Sequence, residues 1–174
     1  MCKYQEENGL YEIDCSSAVW SCQIHDIYQE PSHQYGMLNF LCDVDWVIET
    51  NEKIMLVEYK NANIPQANNP QAFNPLSGDK LDKVAKKYYD SLHYLGLAKA
   101  DKPRILVYIV DYPLGDRASR GMLKLELSKR LPFQMQRQLS TTRKLIDDVF
   151  VVNIQEWNDH SLFGRFPITS ITHS

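Results

Sequence analysis

The chain has 174 residues, of which 44% are apolar and 24% charged, and its formal net charge is −3 at pH 7. This composition predicts a single folded domain, 1–174, with an ordinary hydrophobic core, and excludes a largely disordered chain. The acidic total argues against a protein that binds nucleic acid through overall positive charge. No apolar run approaches the roughly 20 residues that cross a bilayer. The N-terminus lacks the basic start and apolar centre of a signal peptide, so we expect a cytoplasmic protein without membrane contact.

The N-terminal part of the chain is ambiguous in structure and contains all four cysteines. CSSAVWSCQIHDIY (15–28) fits a helix, or a strand after a short helix. The cysteines form no Cys-x-x-Cys pair, which in a cytoplasmic protein indicates reduced, partly buried thiols. Cys15, Cys22, His25 and Cys42 form an alternative zinc-binding set, although their spacing is not a standard one.

Two strands joined by a tight turn are predicted next. MLNFLCDVDWVIE (37–49) is mostly apolar, with β-branched and aromatic residues that favour a strand. TNEK (50–53) supplies the turn, and IMLVEYK (54–60) is a continuous apolar run typical of a buried strand. Residues 61–78 contain three prolines and one glycine, and therefore predict a long loop.

The remaining elements alternate between helix and strand. Residues 79–95 have apolar side chains at steps of three and four, which predicts an amphipathic helix that ends near Gly96. RILVYIV (104–110) predicts a buried strand, 117–131 a helix, and 147–157 a last strand. A hairpin followed by a strand–helix–strand crossover predicts a mixed β-sheet with helices on its faces, an α/β fold.

Charge is distributed unevenly along the chain. Residues 117–144 contain eight basic side chains against Glu126 alone, which gives this segment +7 and the rest of the chain −10. A basic segment beside an acidic one is suited to phosphate binding and metal binding respectively. A solvated helix face is the commoner origin of such a run.

Four polar side chains interrupt the predicted hairpin. Because side chains alternate across a strand, Asp43 and Asp45 share one face of their strand, and Glu58 and Lys60 share one face of theirs. Pairing through the turn makes Asp45 and Glu58 near neighbours. Carboxylates held close together repel each other unless they share a proton or bind a cation. The pattern therefore predicts either a Mg²⁺-dependent site for phosphodiester hydrolysis or a surface ion pair on an edge strand.

Asp45, together with Glu58-Tyr59-Lys60 on the following strand, resembles the core of the PD-(D/E)XK nuclease superfamily, which includes restriction endonucleases and Holliday-junction resolvases. The resemblance covers about residues 37–112. It implies a restriction-endonuclease-like core of helix, three strands, helix and strand (αβββαβ). It also implies that Asp45 and Glu58 bind Mg²⁺ or Mn²⁺, with Asp43 as a further acid. Lys60 is then the catalytic lysine, which positions the attacking water or stabilises the transition state.

Two departures from the family pattern are present. No proline precedes the motif aspartate. The family often supplies an additional glutamate from its first helix, for which Glu6, Glu7 and Glu12 are the candidates here.

The resemblance implies a metal-dependent nuclease that acts on DNA or RNA. Contacts to the phosphate backbone are expected from four basic residues, Lys86, Arg137, Arg143 and Lys144. The alternative is a catalytically inactive module on the same fold that binds nucleic acid or a protein partner. A third hypothesis is a small nuclease that needs a protein partner for activity. The sequence does not decide whether the chain forms a homodimer.

Overall fold

The computed structural model describes residues 2–29, 41–65, 67, 69–98, 102–139 and 143–171. These residues form eight strands: β1 (Lys3–Gln5), β2 (Tyr11–Asp14), β3 (Trp20–Cys22), β4 (Trp46–Glu49), β5 (Ile54–Asn61), β6 (Arg104–Asp111), β7 (Asp148–Val152) and β8 (Ile168–Ser170). They also form five α-helices: α1 (Ile24–Gln29), α2 (Gly78–Ala98), α3 (Arg117–Arg130), α4 (Phe133–Gln138) and α5 (Ile154–Asp159). None of the helices in these ranges is long and apolar enough to cross a membrane.

A five-stranded mixed sheet in the order β3-β4-β5-β6-β7 forms the centre of the molecule. The strands β3, β4 and β5 pair antiparallel, whereas β6 and β7 continue the sheet parallel to β5. The predicted mixed α/β architecture is confirmed. A second, three-stranded antiparallel sheet in the order β1-β2-β8 was not predicted.

Each face of the main sheet is covered by a separate hydrophobic cluster. On one face α2 and α3 pack against the strands, with Tyr88 and Leu56 among the fully buried side chains. On the other face α5 and the small sheet enclose a cluster that includes Trp46 and Trp157. The inner strands β5 and β6 are covered on both sides, which explains why their sequences are continuous apolar runs.

The first strand of the hairpin is shorter than predicted. Residues 37–40 of the predicted strand 37–49 lie outside the described residues, and β4 begins only at Trp46. In the segment 41–45, the amides of Cys42 and Val44 donate to side chains of α2 instead of to a neighbouring strand. Buried or half-buried amides need a partner, and here the helix supplies it in place of a sheet ladder.

The last predicted strand, 147–157, is also too long. It divides into β7 and α5, because the side chain of Asn153 accepts from the amide of Glu156 and the side chain of Glu156 accepts in return from the amide of Asn153. This capping box starts a helix directly after the strand. At the end of α2, the predicted stop at Gly96 is passed by two residues, since the helix continues to Ala98.

Candidate active site

The register of the β4–β5 hairpin places Asp45 opposite Glu58. Trp46 pairs with Val57 and Val47 with Leu56, so the next pair toward the open end of the hairpin is Asp45 with Glu58. Side chains of opposed residues lie on the same face of a sheet. This is the face covered by α2, since Val47 and Leu56 belong to the cluster on that side.

Backbone contacts fix the orientation of Asp45. Its Oδ2 accepts a hydrogen bond of 2.7 Å from the amide of Tyr59, the residue that follows Glu58. The other oxygen, Oδ1, is left to face helix α2. β4 and β5 are inner strands of the main sheet, and only 8% of Glu58 is exposed. The alternative of a surface ion pair on an edge strand is therefore wrong.

A lysine from α2 reaches both carboxylates. The Nζ atom of Lys87 lies 2.8 Å from Oε2 of Glu58 and 3.3 Å from Oδ1 of Asp45. Lys86 is the α2 residue that the sequence predicts to contact nucleic acid, and the structure places its neighbour Lys87 at the carboxylates. Lys87 follows Val84 by three residues, and Val84 belongs to the cluster under α2, so a helical spacing signal for Lys87 exists.

Lys86 and Tyr89 point away from the carboxylates. The ammonium of Lys86 forms an ion pair with Asp90 one turn later in α2. The hydroxyl of Tyr89 donates to the backbone carbonyl of Arg130 at the end of α3, at 3.1 Å. These two side chains tie the outer face of α2 together and connect it to the neighbouring helix.

Helix α2 also holds the backbone that leads into Asp45. The carboxylate of Asp90 accepts from the amide of Cys42 at 2.8 Å. The hydroxyl of Ser91 accepts from the amide of Val44 at 3.1 Å and donates to the carbonyl of Lys87 at 2.8 Å. The helix that carries Lys87 thus also holds the backbone directly before Asp45, and both contacts come from its residues Asp90 and Ser91.

We expect Ser91→Ala to lower the free energy of unfolding by about 1–2 kcal/mol, because the buried amide of Val44 loses its acceptor. Ser128→Ala in α3 is the matched control. Ser128 makes the same bond to the carbonyl four residues earlier, that of Lys124, and no described backbone amide donates to its hydroxyl. Urea denaturation of both variants measures the difference, and equal losses of stability would contradict the bridging role of Ser91.

Lys60 occupies a different place from Lys87. It lies on the same face of β5 as Glu58 but is exposed, and it forms no ion pair with Asp45 or Glu58. Its side chain lines an open cleft of about 540 Å³, to which Asp45 also contributes, whereas Glu58 lies buried behind the lining. The lysine of the sequence motif therefore faces the cleft, whereas the lysine from α2 holds the acids.

The cleft contains more acids than lysines. Its walls include residues of the β1–β2 hairpin, the start of α1, the segment before β4, the end of β5 and helix α2. The charged side chains that line it are Glu6, Glu7, Asp26, Asp43, Asp45, Lys60, Lys83 and Lys87. A phosphate group would meet a net negative surface here unless a cation is bound.

Burial shifts the protonation of the carboxylate pair. Burial, together with the negative charge of Asp45, raises the pKa of Glu58 to about 8, although Lys87 opposes the shift. Burial also raises the pKa of Asp45, against the effects of Lys87 and of the bond from Tyr59. Burial acts to lower the pKa of Lys87, but the charges of Glu58 and Asp45 outweigh it and the pKa is raised. One ammonium does not fully compensate the buried Glu58 and the half-buried Asp45, which is the electrostatic condition of a cation site.

The free energy of unfolding should fall as the pH rises from about 4.5 to about 8. In this window the folded chain keeps a proton on Glu58 that the unfolded chain releases, so the stabilisation is lost with rising pH. One pKa unit corresponds to about 1.4 kcal/mol, and we expect a loss above ~1 kcal/mol. Urea denaturation of the wild type and of Glu58→Gln at several pH values tests this, since the glutamine should flatten the slope. An identical slope in both proteins would contradict the assignment to Glu58.

The carboxylate pair fits a divalent ion. Oxygens of Asp45 and Glu58 both lie within 3.3 Å of a single cationic atom, and Mg²⁺ needs only one or two carboxylates because it retains several waters. Within the described ranges, no three His, Cys, Asp or Glu side chains form a group that could hold a metal. Asp43, predicted as a further ligand, is half-buried beside the pair without completing such a group.

The alternative zinc set is not assembled. Cys15 belongs to the cluster on the α5 face of the main sheet, whereas Cys22 belongs to the cluster on the α2 face. The sheet lies between these two thiols. The zinc interpretation is therefore wrong.

No protein-family model matches this chain, and neither a curated protein nor a solved structure gives a match to it. The resemblance to PD-(D/E)XK nucleases consequently depends on the residues and elements described above.

Two of the three candidates for an additional glutamate have other contacts. Both oxygens of Glu6 accept backbone hydrogen bonds, from Asn8 and from Leu10, and these bonds hold the turn between β1 and β2. Glu12 lies on the small sheet, where it pairs with Lys3. Glu7 is exposed at the wall of the cleft.

Most of the predicted basic segment is compensated by acids. Arg120 binds Glu156 through two hydrogen bonds of 2.8 and 2.6 Å. Other pairs in or beside this segment are Lys124 with Asp148, Lys129 with Glu126, Arg130 with Asp82 and Lys144 with Asp147. Arg137 lines a separate groove between α3, α4 and β7. The positive charge of this segment is thus weaker on the surface than the sequence indicates.

Proposed function

We propose that the chain is a Mg²⁺- or Mn²⁺-dependent nuclease of PD-(D/E)XK type, which hydrolyses phosphodiester bonds of DNA or RNA. The observation that most directly supports this proposal is the convergence of Asp45 and Glu58 on one cationic atom. Their exposed neighbour Lys60 lies on the same face and borders an open cleft. These are the residue types that metal-assisted hydrolysis of a phosphodiester requires.

The order of elements supports a restriction-endonuclease-like core. An antiparallel set of three strands, β3-β4-β5, is followed by the helix α2 and by β6, which is parallel to β5. The proposed αβββαβ core differs here in one respect, because α1 follows the first of the three strands instead of preceding it. The β4–β5 hairpin, with Asp45 directly before β4 and with Glu58 and Lys60 in β5, is unaffected by this difference.

The residues of the site have distinct parts in the proposed reaction. A divalent ion bound by Asp45 and Glu58 would stabilise the charge of the phosphate and lower the pKa of a bound water. The amide of Tyr59 fixes the carboxylate of Asp45, so that Oδ1 faces the ion site. Lys60, at the cleft wall, holds the attacking water or donates to a phosphate oxygen in the transition state.

Cleavage of labelled DNA and RNA with Mg²⁺, with Mn²⁺ and with a chelator tests the proposed activity. The wild type should cleave only with metal, and Asp45→Asn should be inactive. Asp26→Asn is the matched control, because Asp26 is an exposed acid at the wall of the same cleft. Equal activity of Asp45→Asn and wild type, or cleavage that persists in chelator, would contradict the proposal.

A second candidate function is a catalytically inactive module on the same fold that binds nucleic acid or a protein partner. The compensation of Asp45 and Glu58 by Lys87 favours it, since the pair is already partly neutralised. This function predicts no cleavage with any metal. It also predicts binding of nucleic acid that weakens with salt and on Arg137→Ala or Arg143→Ala, as measured by fluorescence anisotropy.

A further inference from the structure

We propose that Lys87 is the built-in cation of the Asp45–Glu58 pair, and that a divalent ion which binds this pair displaces the Lys87 ammonium into the cleft. The inference rests on the proposed metal site. It assigns Lys87 as a positioning residue: it holds the acids in register before the ion arrives and faces the cleft afterwards.

The geometry leaves room for one cation between the two acids. The Lys87 ammonium lies 2.8 Å from Glu58 and 3.3 Å from Asp45, and so bridges them. An ion bound by both carboxylates, at the 2.0–2.1 Å that is typical of Mg²⁺–oxygen distances, would have to lie in about the same place. Two cations in the same small space repel each other strongly where little water screens their charges. The ammonium must therefore move when the ion binds.

The cleft gives the displaced side chain a path. About 17% of the Lys87 side chain is exposed, and Lys87 already contributes to the lining of the cleft. A lysine side chain is a flexible chain of four carbons, so its charged end can turn toward solvent without movement of the helix. The other charged groups that face this position are Asp43, Lys60 and Lys83.

Displacement brings positive charge to the place where a phosphate would lie. Lys83, one turn earlier in α2, is exposed and lines the same cleft. With Lys60 and Lys83, a displaced Lys87 would complete three lysines around a cleft that is otherwise acidic. The substrate surface would then become more positive when metal binds, by the charge of the ion and by the movement of Lys87.

Chemical labelling of lysines tests the displacement in the whole chain. An amine-reactive reagent is applied with and without saturating Mn²⁺, and each labelled lysine is quantified by mass spectrometry. We expect the labelling rate of Lys87 to rise several-fold with Mn²⁺, whereas those of Lys86 and Lys53 stay constant. Binding of Mn²⁺ measured by calorimetry, together with an unchanged rate at Lys87, would overturn the inference and leave the proposed metal site in place.

Calorimetry of Lys87→Gln separates this inference from the proposed function. Removal of the competing ammonium should tighten Mn²⁺ binding ~10-fold. Lys83→Gln, the matched control one turn away, should change the affinity less. Mn²⁺ binding by Lys87→Gln but not by the wild type would support the role of Lys87 as the built-in cation. It would also contradict a metal-dependent function of the wild type. Binding by neither protein would overturn both, and weaker binding by Lys87→Gln than by the wild type would overturn the inference alone.

Discussion

Glu58→Gln should abolish the binding of Mg²⁺ and Mn²⁺ and reduce metal-dependent cleavage by at least ~10³-fold. The described part of the chain brings only two carboxylates to the proposed ion site, so the loss of one charge removes half of the ligand charge. Glutamine has nearly the same shape as glutamate, and its carbonyl still accepts a bond from Lys87. The fold should therefore persist, and the free energy of unfolding should depend less on pH.

Glu52→Gln is the matched control for this prediction. Glu52 lies exposed at the turn between β4 and β5, on the same hairpin but away from the ion site. Isothermal titration calorimetry with Mg²⁺ and with Mn²⁺ measures the affinity of the three proteins, and cleavage of labelled nucleic acid measures their activity. Wild-type affinity in Glu58→Gln would show that the carboxylate pair is not the metal site.

The pairing of Asp45 with Glu58 could be predicted from the sequence because it depends on local rules. A short turn fixes the register of a hairpin, and strict alternation then decides which side chains share a face. TNEK separates two apolar segments whose polar interruptions become neighbours once the turn forms. The crossover from β5 through α2 to β6 follows from rules of the same kind, since it links sequential elements.

The role of Lys87 could not be predicted by the same reasoning. The apolar stripe of α2, with Val84, Tyr88 and Leu95, could be predicted from the sequence, but which lysine beside it meets the carboxylates depends on how the helix packs on the strands. A lysine beside that apolar stripe is usually solvated, and here the carboxylates of Glu58 and Asp45 stabilise it instead. The sequence signal for Lys87 is its helical spacing from Val84, three residues earlier, and from Ser91, four residues later, both of which are buried.

Long-range pairing accounts for the other differences. The small sheet joins Tyr11 to Ser170, and no local pattern in the first residues indicates a strand from the end of the chain as a partner. The late start of β4 has a similar cause. Side chains of Asp90 and Ser91, more than 40 residues later, bind the amides that a strand partner would otherwise bind.

Lys60→Ala should lower metal-dependent cleavage by ~10²-fold or more while the affinity for Mg²⁺ stays within about twofold of the wild type. Lys60 is exposed in the cleft and contacts neither carboxylate as an ion pair, so its loss removes a group that acts on the phosphate or the water and leaves the ion ligands unchanged. This separation distinguishes Lys60 from Lys87, whose replacement is expected to change the metal affinity.

Lys83→Ala is the matched control for Lys60, since it removes another exposed lysine from the same cleft. If positive charge in the cleft acts only by attracting the substrate, both variants should weaken substrate binding to the same extent. Their difference from the wild type in substrate affinity should then disappear at high salt. If Lys60 acts on the transition state, its removal should lower kcat at saturating substrate, and Lys60→Arg should restore part of it. Unchanged cleavage of both DNA and RNA by Lys60→Ala would remove Lys60 from the site and leave the carboxylate pair without its motif lysine.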